Sequence, residues 1–311
     1  MRNPRELYEL TTAATDVPAG LPFVAGLTGF ADAGNAVTQL GAYMLGNLPS
    51  HELIASFDND ILLDYRARRP TFTFANDHIE DYQPPRLELH LVSDEVGRPF
   101  LFLHGYEPDF AWEAFAAAVL GLVETFEASS LDWVHAIPMP VPHTRPLQVT
   151  VSGNNTELID RLSVWRPRTQ APATAMHLIE HRATDRGHLV NGFVVLVPHY
   201  LGDTEYPATL ITALQSVSAA TGLVFATDHL RDDDNDFIAN INEQVLGNPE
   251  LQRLVGALEE RHDTYMKENP ARRTMADAEN LPTADEIAAE LERFLAHQRR
   301  HGDDAAPDNL D

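Results

Sequence analysis

Short apolar runs of strand length alternate with segments of helical periodicity along most of the chain. The first run is Leu21–Thr28, LPFVAGLT. It ends in the turn Gly29-Phe30-Ala31-Asp32-Ala33-Gly34-Asn35-Ala36. After the turn Val37, Leu40, Met44 and Leu45 recur at helical spacing. Strand, glycine-rich turn and helix together open an α/β unit. His51–Phe57 reads as a second strand, and the alternation of Thr71–Phe74 as a half-buried one. Leu87, Leu89 and Leu91 alternate with polar neighbours. The turn Asp94-Glu95-Val96-Gly97-Arg98 follows, with Asp94 and Glu95 expected to stay solvated, and Pro99–His104 is the return strand.

Asp109–Ser129 predicts a helix rich in alanine and leucine, with Asp109 as its cap. Trp133–Ile137 predicts a short buried strand that stops at Pro138. The loop to Pro146 is punctuated by prolines that neither a helix nor a central strand accepts. Leu147–Val151 is strand-like, and Asn155 is placed to cap a helix over Thr156–Leu162. Thr174–His181 is helical. Phe193–Val197, FVVLV, predicts a central strand covered on both faces. Pro207–Thr221 predicts a helix with proline in its first turn.

From Asp228 the rhythm breaks at an acidic run, read as a solvated loop, followed by helices over Asp236–Leu246 and Pro249–Tyr265. Thr283 and Glu286 form a capping-box pattern for a last helix, Thr283–Gln298. The predicted class is α/β: a mostly parallel sheet with flanking helices, one antiparallel hairpin, and an acidic helical C-terminal extension. The predicted boundaries are a core at 1–227, the extension at 228–300 and a disordered tail at 301–311.

Charge removes several functions. The formal net charge is −25, from 47 acidic and 22 basic residues. Lys267 is the sole lysine, and no basic stripe exists to follow a phosphate backbone, so no nucleic-acid partner is expected. From Asp228 onward 21 of 84 residues are acidic and 9 basic, which makes the end of the chain the denser acidic block. With no cysteine there is no disulfide, thiolate metal site or thiol nucleophile. The first residues lack the basic-then-apolar pattern of a signal peptide, and no segment offers about 18 uncharged apolar residues. A cytoplasmic location without a membrane partner is the expectation.

Four segments carry a resemblance: GLTGFADAGNA at Gly26–Ala36, LELHLVSDEVGRPFLFLHGYEPDFAW at Leu87–Trp112, AIPMPVPHTRP at Ala136–Pro146 and VLVPHYLGDTEYP at Val195–Pro207. They resemble the PAC2 family, whose eukaryotic namesake is proteasome assembly chaperone 2, and within it the actinobacterial members. The resemblance spans roughly Val24 to Gly222. It implies an α/β core similar to the phosphorylase/hydrolase-like fold, frequent self-association into a homo-oligomer, and action by binding a protein client rather than by catalysis. It supplies no catalytic residues.

Residue chemistry gives candidates of its own. Gly29, Asp32, Gly34 and Asn35 form either an anion-binding turn at a helix N-terminus or a tight turn in which Asp32 caps the helix. The spacing matches neither the dinucleotide fingerprint nor a P-loop. His143 and Arg145 follow a predicted strand: Arg145 suits an anion, and His143 a general base. The alternative is a rigid proline-rich contact loop. His199 and Tyr200 follow the FVVLV strand. If both strands are parallel, His143 and His199 leave one sheet edge and share a cleft with Asp32 and the loop His104–Asp109. His177 and His181 read as a surface pair. No G-x-S-x-G or H-E-x-x-H is present, so neither a metal nor a cofactor is expected. An interaction or assembly protein is the first reading. A small-molecule hydrolase or phosphorylase-like enzyme for an anionic substrate is the second, and a structural oligomer with a vestigial cleft the third.

Overall fold

The apolar runs assemble into one eight-stranded sheet between two helical layers. The computed structural model describes residues 3–166 and 168–268. The strands are β1 (Tyr8–Leu10), β2 (Pro22–Thr28), β3 (Ser50–Phe57), β4 (Thr71–Ala75), β5 (His78–Gln83), β6 (Leu87–Ser93), β7 (Pro99–Tyr106), β8 (Ser130–Met139), β9 (Gln148–Gly153) and β10 (Val190–Pro198). The helices are α1 (Ala36–Gly46), α2 (Asn59–Leu62), α3 (Trp112–Thr125), α4 (Thr156–Leu162), α5 (Ala175–Asp185), α6 (Pro207–Thr221), α7 (Asp228–Leu246) and α8 (Pro249–Glu268). The sheet order is β1-β3-β6-β7-β2-β8-β10-β9, and β4-β5 form a separate two-stranded ribbon.

The four middle strands, β7, β2, β8 and β10, run parallel. Every outer pairing is antiparallel. The sheet is therefore mixed, which corrects the expectation of a mostly parallel, phosphorylase/hydrolase-like core. The reason is connection length. The expected hairpin at Asp94–Arg98 is present, and the short loop between β8 and β9 also turns the chain back, so β9 runs against β10, as β1 and β3 run against their neighbours. FVVLV of β10 is buried as predicted but lies next to the edge strand β9. Pro138 does not end β8, because β2 stops pairing with β8 at Trp133 and leaves that flank free of a ladder.

Alternation along the strands decides the layers. Phe23, Ala25, Leu27, Leu101, Leu103, Leu131 and Trp133 face α3 and α5, with Phe115, Val119 and Leu122 of α3 at helical spacing above them. Val24, Phe100, Phe102 and Val134 point to the other face, where α1 and α6 cover them. Gly192 sits beside Trp133 in the parallel register, and a Cβ there would come within 2.6 Å of the indole. Glycine at this point lets Trp133 lie against the strand.

Other expectations change. α3 starts at Trp112 behind Ala111 at φ 58°, because Asp109 is engaged elsewhere. The acidic run at Asp228–Asp234 continues as the first half of α7 instead of forming a loop. Thr71–Phe74 is not half-buried: Phe72, Phe74, Ile79 and Tyr82 of the ribbon are all exposed. The predicted helix Thr283–Gln298 and the tail from Gly302 lie outside the described residues. No helix among the described residues is long and apolar enough to cross a membrane.

Candidate functional site

The glycine-rich turn after β2 is closed by its own side chains. The Asp32 carboxylate accepts hydrogen bonds from the Val37 and Thr38 amides at 2.7 and 3.0 Å and from Thr38 Oγ1 at 2.7 Å. Its negative charge therefore occupies the positive end of α1. Gly34 adopts φ 67°, and a Cβ there would lie 2.5 Å from Thr209 Cγ2 of α6. Its amide donates to Gly202 O, and its carbonyl accepts from Tyr206 N and Gln39 Nε2. Asn35 is the left-handed residue that admits the chain to α1. Gly29, at φ 149°, lets the chain pass Glu107 and Arg68.

The proline-rich loop after β8 meets the C-terminal helices. His143 is buried, and its amide donates to Tyr200 Oη at 2.8 Å. The Tyr200 hydroxyl can then give its proton to His143 Nδ1, 2.7 Å away. That places the ring proton on Nε2, which faces Asn242 Oδ1 of α7 at 3.2 Å. Burial raises the Tyr200 phenol above its ordinary pKa. Arg145 grips Asp263 of α8 in bidentate fashion at 3.0 and 2.8 Å and reaches Glu259 at 3.3 Å. The guanidinium holds the Asp263 carboxyl far below the usual carboxylate range. His199 is exposed and meets Tyr200 edge-on. The structure thus brings His143, Tyr200 and His199 together, and gives the Arg145 charge to α8. Arg145→Ala should raise amide hydrogen exchange in α8 while leaving β2 and β8 protected. Unchanged exchange in α8 would show that the ion pairs do not hold that helix.

A second polar group, which the sequence reading does not assemble, lies on the opposite face of the sheet. Leu27, Phe30, Glu107, Trp133, Val134, His135, Thr174 and Met176 enclose a small cavity. The centre of a water-sized sphere can move through about 10 Å³ of it, roughly the room of one water. His135 follows Trp133 on the face of β8 that packs against α5, and it is 5% exposed. Its ring lies 6.4 Å from Phe30, nearly parallel, and 6.5 Å from His177. Among the described residues the histidine nitrogens buried without a partner are His90 Nδ1, His104 Nδ1 and His262 Nε2, and neither nitrogen of His135 is among them. Burial and the neighbouring His177 push the His135 imidazole down to about 4. His177 closes a capping box at the start of α5: its Nδ1 accepts from the Thr174 amide at 3.0 Å, and its amide donates to Thr174 Oγ1.

Glu107 Oε1 accepts from the Ala175 amide at 2.6 Å, and burial raises this carboxyl. Glu180, also raised by burial, accepts from Trp133 Nε1 at 2.7 Å and Ser152 Oγ at 2.8 Å. His177 and His181 are therefore not one surface pair. His181 is exposed, whereas the His177 ring packs 4.9 Å from Trp133. The signals in the sequence are the spacing Trp133–His135 on one strand face and the position of His177 three residues past Thr174. Among the described residues no group of three or more histidines and carboxylates is arranged to hold a metal ion.

Residues 26–245 match the model of the PAC2 family. The chain belongs to the PAC2 family. A search of curated proteins returned no match. Two solved structures at substantial identity support the family assignment. A Corynebacterium glutamicum protein of unknown function is 37% identical with a TM-score of 0.80, over 85% of this chain and 99% of that one. A Mycobacterium tuberculosis protein of unknown function is 38% identical with a TM-score of 0.77, over 84% and 92%. A proteasome-assembly chaperone homologue from Mycobacterium tuberculosis shares the fold at 21% identity and a TM-score of 0.68, over 76% and 100%. The mixed sheet is thus the PAC2 sheet. In this PAC2 chain the matched region takes in most of α7, whose Asn242 meets His143.

Proposed function

We propose that this PAC2 protein acts by protein contact, as a self-associating interaction or assembly protein rather than as an enzyme. The observation that carries the reading is the β4–β5 ribbon. Phe74 faces Ile79 across the strands, and Phe72 lies opposite a bulge that holds Asp81 and Tyr82. All four large side chains are between 54 and 66% exposed. A lone two-stranded ribbon is marginal in water, and clustered exposed aromatics favour a partner surface.

Charge along the ribbon favours a second copy as that partner. The turn carries Asp77, with Glu80 on the strand behind it, and exposed Arg66, Arg69 and Arg86 surround the root. Two ribbons laid antiparallel about a two-fold axis would set each acidic tip on the other basic root. Analytical ultracentrifugation tests this. The double variant Phe72→Ser, Phe74→Ser should weaken self-association by at least about 100-fold, since each buried phenylalanine contributes on the order of 1.5–3 kcal/mol. Association unchanged from the wild type would overturn this interface.

The client is proposed to be of the kind implied by the relative described as a proteasome-assembly chaperone homologue. The same reading keeps residues 1–227 as the core and treats residues from 228 on as an extension. Arg145, His143 and Tyr200 are the groups through which the extension is held. A cytoplasmic location also belongs to this reading.

A further inference from the structure

An open groove of about 300 Å³ runs between α8 and the ends of β8, β9 and β10. That volume is at the lower end of the range for small-ligand clefts, about 300–1,000 Å³. No residue of the β4–β5 ribbon lines it. Met139, Val141, Val164, Trp165 and Leu196 give it mostly apolar walls. The groove is braced as it stands. Tyr265 Oη donates to the Val164 carbonyl at 2.9 Å, and Arg145 grips Asp263 two residues earlier on α8. No part of the chain has to move to open it.

Its two ends carry opposite charge. Arg261 and Glu268 both line the groove, and both are exposed. They stand seven residues apart on α8, two turns along one helix face. A rise of about 1.5 Å per residue separates their Cα atoms by about 10 Å. An extended peptide advances about 3.3–3.6 Å per residue, so three residues span about the same distance. Its carboxylate and its ammonium are the complements of those two side chains. A fatty acid or a simple amine would satisfy one end and leave the other without a partner.

We propose that this groove binds a short, extended apolar peptide with free ends. The C-terminal carboxylate meets Arg261, and the N-terminal ammonium meets Glu268. The peptide's side chains lie against Val141, Val164, Trp165 and Leu196. The site is separate from the ribbon and does not depend on self-association.

The probe is leucyl-alanyl-leucine, added to the full chain and followed in proton–nitrogen spectra of backbone amides and indoles. Saturable shifts centred on Trp165 and Thr264, which also lines the groove, are expected at millimolar peptide. Amidating the C-terminus should weaken binding about threefold, the effect of one exposed ion pair. Arg261→Gln should weaken binding of the free peptide by the same factor, and amidation should then have no further effect. Acetylating the N-terminus should behave alike with Glu268→Gln. Both side chains are exposed, so neither substitution threatens the fold. The proposal is overturned if the Trp165 and Thr264 signals stay still at millimolar peptide. It is equally overturned if free and end-blocked peptides bind alike, or if amidation still weakens binding to Arg261→Gln in full.

Discussion

Asp94→Ala should destabilise the protein by roughly 3–5 kcal/mol, an effect large enough to threaten folding of a marginally stable domain. Asp94 is wholly buried in the turn between β6 and β7. Oδ1 accepts from the amides of Val96 and Arg98 at 3.0 and 2.8 Å, and Oδ2 from the amide of Val224 at 2.9 Å. Alanine removes the acceptor from all three backbone donors at once. The damage is also topological. Glu95 N bonds Val224 O, and the Arg98 guanidinium donates to Gly222 O at 2.8 Å, so this turn anchors the segment between α6 and α7. Asp94→Asn keeps one accepting oxygen but sets an amide against a donor, and should fall between the two. Urea unfolding of the three proteins measures the effect. A loss below about 1 kcal/mol for alanine would mean that water replaces the carboxylate and that the turn is not a structural hub.

The second large effect is a dependence of stability on pH that runs against the usual carboxylate direction. Asp132 lies in the middle of the sheet with no exposure, accepting from Asn191 Nδ2 at 2.7 Å and from Ser130 Oγ. Burial raises its carboxyl from 3.8 to about 6. A raised acid favours folding while protonated. Its stabilising contribution is present below about pH 4 and is lost as pH rises through about 6. Ionising this carboxyl in the fold rather than in the unfolded chain therefore costs about 3 kcal/mol once both are charged. His135 works in the opposite sense: its lowered pKa protects the fold above about 6.5 and is lost as pH falls toward about 4. The two partly cancel in the wild type, so the comparison must be made against Asp132→Asn.

That variant has no charge to bury, and its amide can meet Asn191 Oδ1, which has no partner. It should gain about 2–3 kcal/mol on the wild type at pH 8 and lose that advantage near pH 4. A constant difference across the range would mean that Asp132 does not titrate in this window.

Much of the fold is legible because hydrophobic period and turn chemistry are local. The alternation of Leu87, Leu89 and Leu91, the Asn155 cap and Pro207 at the start of α6 all describe a few neighbouring residues, and each stands where the pattern places it. Strand order is not legible. The β6–β7 hairpin is read from its turn, but the antiparallel pairings β1–β3, β3–β6 and β9–β10 depend on three-dimensional closure, and the sheet is mixed where a mostly parallel one is expected.

Long-range polar partners are equally hidden. Asp94 reads as solvated because its third donor, Val224, is far along the chain. Arg145 reads as an anion contact because nothing nearby in sequence shows that Asp263 will reach it. The start of α7 reads as a loop because an acidic run resembles one until Leu230 and Phe237 pack, the latter stacked on Tyr206 at 4.9 Å. His135 reads as a plain strand residue, since its environment is assembled from the turn after β2, the loop after β7 and the start of α5.

Native mass spectrometry of the full chain, taken gently from its own cells, tests the central proposal most directly. The contact reading predicts a homo-oligomer that falls apart when Phe72 and Phe74 are both replaced by serine, together with a stoichiometric protein partner on the wild type. A wild-type chain that flies as a lone monomer, without any bound protein, would contradict it.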